Sequence, residues 1–360
     1  MIERKKVVVI GHTGRGDYGH GMDTAFRNHP ACEVVAVADP VEASHAAAMQ
    51  RSGAARSYRD YRKMLDQERP EICVIAPRWI DQHADMALAA AEFGCHLYME
   101  KPFCRTLEEA DAIERACQMR HLKVAVAHIA HYSPALTSVR KALAEGAIGR
   151  LLEIEVRGKE DARGGAEDLW VLGSHALELM VALAGPPSFC QAMLLQDGKL
   201  AGPSDRRDGN EGLGLLAGNR VEAMWGLPNN VLGRFASDKQ SAKPPSRFGL
   251  RLRGIEGEIW LPSGFGVPAR LSRDPLWMGG AGDGWSELPM APTVAGYEGA
   301  HPVVVQDFLE AIDKDRPPIC SLREAIWTLE CIHSVFASHV SQSRVALPLS
   351  DRSHPLAKWN

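Results

Sequence analysis

The chain has 360 residues, of which 45% are hydrophobic and 24% charged, and its 41 Lys plus Arg stand against 45 Asp plus Glu for a formal net charge of −4. That length holds about two domains, and the composition excludes a disordered, collagenous or coiled-coil chain. A charge so near neutral supplies no field that would gather nucleic acid or an anionic bilayer. The 33 glycines and 22 prolines imply many tight turns and favour a loop-rich α/β protein over a helical bundle. The cysteines, Cys32, Cys73, Cys95, Cys104, Cys117, Cys190, Cys320 and Cys331, form no C-x-x-C pair and read as small buried hydrophobes in a reducing compartment. The amino terminus has no apolar stretch of signal-peptide length, and no window reaches the ~20 apolar residues of a membrane span, so a cytoplasmic location is expected.

Short apolar runs bounded by turn or charged residues predict strands at Val7 to Ile10, Val34 to Ala38, Ile72 to Ala76, His96 to Met99 and Lys123 to Ala127. Helices between them have legible ends. Asp81 is placed to cap Gln82 to Phe93, with Gly94 ending it. Thr106 and Glu109 have capping-box spacing, and Ser133-Pro134 opens a helix that Gly146 closes. This β-α alternation predicts an α/β fold with a doubly wound parallel sheet, a Rossmann-type domain, over residues 1–127.

Residues 128–360 read as an α+β domain. Leu152 to Val156 alternates like a half-exposed strand, one long helix follows Gly165, and Gly185-Pro186-Pro187 stops it. Strand-like pieces separated by turns then predict an open, mainly antiparallel sheet to about residue 290. The Gly- and Pro-rich stretch from Arg273 to Tyr297, with Trp277 and Trp285, reads as long loops. His301 to Asp313 and Leu322 to His339 read as closing helices.

Directly after the first strand comes Gly11-His12-Thr13-Gly14-Arg15-Gly16-Asp17-Tyr18-Gly19. A strand feeding a glycine-rich turn and then a helix amino terminus offers backbone N–H groups and a positive dipole end to a pyrophosphate. Gly14, Gly16 and Gly19 match G-x-G-x-x-G literally. Gly11, Thr13 and Gly16 form a second register, preferred because its first glycine turns directly off the strand. Asp39, at the next strand end, can accept hydrogen bonds from both ribose hydroxyls and repels a 2′-phosphate, which favours NAD over NADP.

Further along stand Ala76-Pro77-Arg78 with His83, then Glu100-Lys101-Pro102 at a strand end, Glu145 to Gly149 at the entry to the second domain, Gly173-Ser174-His175, and the closing Arg316-Pro-Pro, Val345-Ala-Leu-Pro and His354-Pro-Leu segments. In this order the set resembles the Gfo/Idh/MocA family (glucose-fructose oxidoreductase and inositol dehydrogenase) over nearly the whole chain. The resemblance implies a Rossmann domain joined to a domain with an open antiparallel sheet that pairs subunits, hence a homodimer or homotetramer. It implies NAD held by Gly11, His12, Thr13, Gly14, Arg15, Gly16, Asp39, Ala76, Pro77, Arg78, His83, Glu100 and Lys101. It gives Lys101 a place beside the reacting hydroxyl, where an ammonium stabilises developing alkoxide. Two departures stand out: the family's D-x-x-x-H has Val171 in its acidic slot, and the loop that contacts substrate carries His131-Tyr132-Ser133-Pro134.

The leading expectation is an NAD-dependent oxidoreductase acting on a secondary hydroxyl of a sugar, cyclitol or sugar derivative, with Lys101 as electrostatic catalyst and His175 as proton acceptor. A redox-neutral, NAD-retaining, glycoside-cleaving enzyme and a non-catalytic sugar or NAD sensor are the alternatives. His131, Asp168 and His175 are the candidate substrate contacts. Asp168 lies seven residues before His175, on the same face of a continuous helix but about 10 Å away along it, so it either reaches the rim of the substrate pocket or only caps the helix. Glu178 is placed to orient the His175 imidazole. His128 and His131, at i and i+3, lack an obvious carboxylate partner, and no metal is expected.

Overall fold

The computed structural model describes residues 4–243, 246–273 and 284–360; Trp277 lies outside them. The chain forms two compact units. One comprises Met1–Ala127, Asn210–Gly214 and His301–Ile326; the other comprises His128–Gly209, Leu215–Ala300 and Trp327–Asn360. Two segments read above as part of the second domain, 210–214 and 301–326, thus pack in the first unit.

In the first unit the elements run β1 (Lys5–Ile10), β2 (Cys32–Ala38), α1 (His45–Ser52), β3 (Arg56–Tyr58), α2 (Tyr61–Glu68), β4 (Ile72–Ile75), α3 (His83–Glu92), β5 (His96–Met99), α4 (Leu107–Gln118) and β6 (Val124–Val126). All six strands are parallel, in the order β3-β2-β1-β4-β5-β6. Val7 to Ile10 and Ile72 to Ile75 are fully buried, as strands covered by helices on both faces must be. The order reverses between β1 and β4, and in such sheets ligands bind beyond the carboxyl ends of the strands at that point. Strand β3 escapes the sequence reading because Arg-Ser-Tyr at a sheet edge has no apolar run.

One expectation fails here. No α-helix follows β1; Gly19–Thr24 forms a 3-10 segment in which His20 (φ 49°) and Gly21 (φ 76°) are left-handed. The loop therefore has no aligned helix dipole behind it, and any anion would rely on individual N–H groups.

The second unit contains α5 (Pro134–Ala144), β7 (Leu151–Arg157), α6 (Ala166–Val171), α7 (Gly173–Ala184), β8 (Phe189–Gln196), β9 (Lys199–Leu200), β10 (Arg207–Asp208), β11 (Leu215–Leu216), β12 (Arg220–Gly226), β13 (Leu232–Asp238), β14 (Gly249–Gly254), β15 (Glu258–Pro262), β16 (Arg270–Ser272) and β17 (Trp285–Glu287). Helices α8 (Gly296–Asp313) and α9 (Leu322–Ser341) each have residues in both units, and β18 (Val345–Ala346) follows. Ten strands form one sheet in the order β17-β16-β15-β14-β7-β13-β12-β8-β18, with β9 on β8. Every pairing is antiparallel except β7 with β13. Strand β17 falls in the stretch read above as loop.

Alternation puts Ile154, Val156, Leu194, Val221, Phe235, Leu250, Leu252 and Ile259 in the core of the unit. The opposite face is charged and paired with itself: Arg234 reaches Glu153 at 2.7 Å and Arg251 reaches Glu258 at 2.6 Å. The sheet face is thus not an apolar surface in need of a cover. The eight cysteines are free and buried, and burial pushes the Cys95 and Cys190 thiols up to about 12. Among the described residues no helix is long and apolar enough to cross a membrane.

Four histidines, His301 and His339 buried and His96 and His354 half-buried, depend on staying neutral. Nδ1 of His96, His339 and His354 accepts a backbone N–H, and Nδ1 of His301 accepts the Tyr98 hydroxyl at 2.9 Å. Burial lowers all four, His96 and His354 to about 4. Their contribution to stability is complete above the unfolded-state value of 6.5 and is lost as pH falls from there toward about 4. The Asp161 and Asp351 carboxylates, held at about 2, begin to lose theirs only near the ordinary aspartate value of 3.8. Calorimetry across this range should therefore show the melting temperature already falling below pH 6.5. A flat or rising profile down to about pH 5 would contradict these assignments.

Candidate functional site

At the carboxyl end of β1 the glycines serve different ends. Gly14 (φ 77°) and Gly16 (φ 89°) adopt left-handed backbone. Gly11 is needed for space: a Cβ there would lie 2.1 Å from the Tyr18 ring. A Cβ on Gly16 would lie 2.5 Å from the Trp79 backbone nitrogen. Both registers of the motif thus contain glycines the backbone requires. Thr13, in the second slot of the preferred register, donates to Asp39 Oδ2 through its N–H (3.0 Å) and its hydroxyl (2.7 Å). The Tyr18 hydroxyl donates to the same oxygen at 2.9 Å, and the Val41 N–H donates to Oδ1 at 2.9 Å. Burial raises the Asp39 carboxyl, but the donors from Val41, Thr13 and Tyr18 outweigh it and hold the group below the usual carboxylate range. Asp39 is ionised and fully buried.

The loop after β4 is laced to this one. The Arg78 N–H donates to the Gly16 carbonyl (3.1 Å) and the Gly19 N–H to the Ala76 carbonyl (2.7 Å). His12 Nδ1 meets Gln82 Oε1 at 2.8 Å. Arg15 pairs with Asp81 and lies over the Trp79 ring, 5.1 Å from its centroid. Asp81 is therefore not the cap of α3; the residue before that helix is Gln82, which makes no side-chain cap bond. His83 is fully buried with its ring nitrogens against the carbonyls of Phe103 (3.1 Å) and Pro77 (2.7 Å). It ties the loop after β4 to the loop after β5, and neither nitrogen is left for a cofactor.

At the end of β5, Glu100 is completely buried and Lys101 nearly so. One Glu100 oxygen bonds His20 Nδ1, while Oε2 has no hydrogen-bond partner among the described residues. Burial raises this carboxyl, yet the His20 bond and the Lys101 charge bring it below its ordinary value. His20 is in turn positioned from behind: its carbonyl accepts from His301 Nε2 at 2.8 Å. Tyr18, inside the glycine-rich run, and His20, one residue beyond it, were not singled out in the sequence, because the spacing of the glycines says nothing of the side chains beside them.

In the second unit the helix after Gly165 is broken. α6 ends and α7 begins at Leu172, so Asp168 and His175 lie on different helices and the shared-face argument does not apply. Asp168 is neither a cap nor a rim residue. The cap position is Gly165, which makes no side-chain cap bond. The fully buried Asp168 carboxylate instead accepts from the Glu160 N–H (3.0 Å) and the Ser237 hydroxyl (2.6 Å), joining the loop after β7 to β13. Burial pushes its carboxyl up against the effect of those bonds.

His175 is buried, with its ring edge-on to His128 at 5.8 Å between centroids. Glu178 bonds Nδ1 of His131. Arg140 donates to His131 Nε2 at 2.9 Å. A guanidinium only donates, so Nε2 is the bare nitrogen and Nδ1 carries the proton toward Glu178. Both His131 nitrogens are engaged, and direct substrate binding by that ring would require one of them to change partner.

Residues 5–128 match the family model described as "Oxidoreductase family, NAD-binding Rossmann fold". That model is the Gfo/Idh/MocA one, and its match covers the Rossmann strands of the first unit. Levoglucosan dehydrogenase of Pseudarthrobacter phenanthrenivorans is 28% identical over 257 residues, a match spanning 64% of this chain and 64% of that protein. D-apiose dehydrogenase of Paraburkholderia graminis is 32% identical over 136 residues, 38% of this chain and 36% of that one. Among solved structures, levoglucosan dehydrogenase in complex with NADH and levoglucosan superposes with a TM-score of 0.76 at 21% identity, covering 96% of this chain and 100% of that chain. The chain therefore shares that fold over the 96% of its length that superposes.

Proposed function

We propose that the protein is an NAD-dependent dehydrogenase oxidising a secondary hydroxyl of a sugar, cyclitol or sugar derivative. The observation that carries this reading is the buried Glu100-Lys101 pair at the end of β5, in the same unit as a glycine loop at the switch point of a parallel sheet. The relatives' names, levoglucosan, D-apiose and inositol dehydrogenases, support the substrate class.

The residues fit a dinucleotide. Glu100 Oε2 is a buried acceptor lacking a donor, of the kind a ribose hydroxyl would supply. Gly14 has open space where a Cβ would stand, leaving its face of the loop accessible to a phosphate. Residues 11–16, Asp39, Ala76 to Arg78, Glu100 and Lys101 would hold the cofactor; His83 would act by fixing two of these loops. Bound NAD would supply the hydride acceptor. The Lys101 ammonium stabilises the developing alkoxide, and the His175 imidazole takes the hydroxyl proton. His131, fixed by Glu178 and Arg140, positions its loop. A homodimer or homotetramer through the ten-stranded sheet would have to pair its ionic face with a second copy.

Asp39 is ionised at the end of β2, and a 2′-phosphate there would face its charge. NAD should therefore bind more tightly than NADP when both are titrated into the purified protein. Asp39→Ala should narrow the gap. Equal or tighter NADP binding to the wild type would overturn this selectivity.

A further inference from the structure

We propose that Tyr18 is a determinant of dinucleotide affinity: its hydroxyl occupies the position on Asp39 where a ribose hydroxyl would donate, so NAD binds only as the phenol moves aside. This rests on the dinucleotide reading above and adds a residue that the glycine motif does not specify.

A carboxylate offers roughly four acceptor sites over its two oxygens. Asp39 Oδ2 already takes three donors, the Thr13 N–H at 3.0 Å, the Thr13 hydroxyl at 2.7 Å and the Tyr18 hydroxyl at 2.9 Å, and Oδ1 takes the Val41 N–H at 2.9 Å. The Asp39 side chain is also completely buried, so a ribose needs room as well as a lone pair. Two of the donors are backbone and cannot leave without refolding the loop. Turning the Thr13 hydroxyl away would free a single atom's space. Only the Tyr18 ring covers an area comparable to a ribose.

The rest of the loop is held in the same way. The Gly14 N–H, which a phosphate would use, is taken by Asp17 Oδ1 at 2.8 Å, and the N–H groups of His12, Arg15 and Asp17 bond within the loop. The loop's own acidic side chains thus take the places of the cofactor's anionic and hydroxylic groups. Tyr18 is well secured in this arrangement. Its ring lies flat against Gly11, where any Cβ would collide with it, and the Arg51 guanidinium lies 4.8 Å from the ring centroid. Burial and the Asp39 charge hold its hydroxyl protonated, as a donor to that carboxylate must be.

A cofactor that binds only the open form has its affinity reduced by the fraction of open molecules. Tyr18→Phe keeps the ring over Gly11 but removes the bond that holds it on Asp39, and so raises that fraction. Titration of NAD into wild type and Tyr18→Phe, followed by protein fluorescence, should show the variant binding NAD more tightly, on the order of tenfold, the scale of a hydrogen bond to a charged group. NADP should gain by a similar factor and remain the weaker ligand, because Asp39 still repels its phosphate. Stopped-flow binding should show a rate that saturates with NAD in the wild type and rises linearly in the variant. Unchanged or weaker NAD binding by Tyr18→Phe, with the wild type binding normally, would overturn the proposal and leave the dinucleotide reading standing. A wild type that binds neither NAD nor NADP would overturn both.

Discussion

Replacing Lys101 by Ala is expected to lower hydride transfer by at least about a hundredfold, because on the proposed function its ammonium faces a developing alkoxide in a dry site, worth several kcal/mol of transition-state stabilisation. Lys101 is only 4% exposed, and its charge also supports the buried Glu100 carboxylate. Some loss of stability is therefore expected as well, since an ionised group is left with less compensation. Lys101→Arg separates the two effects. It keeps the positive charge beside Glu100 and should restore much of the melting temperature, while its planar fork cannot place a point charge at the same spot and should leave turnover low. Single-turnover measurements with saturating NAD and a substrate found by screening provide the check. A Lys101→Ala protein with wild-type turnover would remove Lys101 from the chemistry.

The second large effect is on stability. Asp168→Ala strands the Glu160 N–H and the Ser237 hydroxyl in the interior and leaves a cavity, a cost of roughly 2–4 kcal/mol. The melting transition should fall by about 5–10 °C. Asp168→Asn retains an acceptor for the Glu160 N–H, and the Ser237 hydroxyl can rotate, so most of that loss should be recovered; it also removes a carboxylate that burial disfavours. Thermal melts of both variants test this directly. An unchanged melting temperature in Asp168→Ala would mean that the bonds to β13 and to the loop after β7 carry little of the unit's stability.

The contrast between these two residues shows what was legible in the sequence. The place of Lys101 just past a strand end was readable because the apolar run His96 to Met99 fixes its position relative to the sheet, and open parallel sheets bind ligands at that edge. Asp168 was misjudged because its assignment assumed an unbroken helix. Nothing in Val171-Leu172-Gly173 marks the break; Gly173 is set by its contact with Phe235, where a Cβ would stand 2.9 Å from the ring. The parallel sheet was legible wherever strands were wholly apolar, and β3 was lost where the strand was short and at the edge. The glycine loop was found by its spacing, but the 3-10 segment in place of a helix depends on His20 adopting left-handed backbone, which only occasionally occurs in residues other than glycine. The bond from Glu178 to His131 was not legible, because the two lie 47 positions apart in sequence.

The central claim is that this chain moves a hydride from a secondary carbinol carbon to NAD. It is tested most directly by incubating the protein and NAD with sugars, anhydrosugars and cyclitols deuterated at their carbinol carbons, and then examining the nicotinamide by mass spectrometry. The account predicts deuterium on the nicotinamide ring with at least one such compound and its loss in Lys101→Ala. Tight NAD binding with no deuterium transferred from any of them, even in a single turnover, would contradict it.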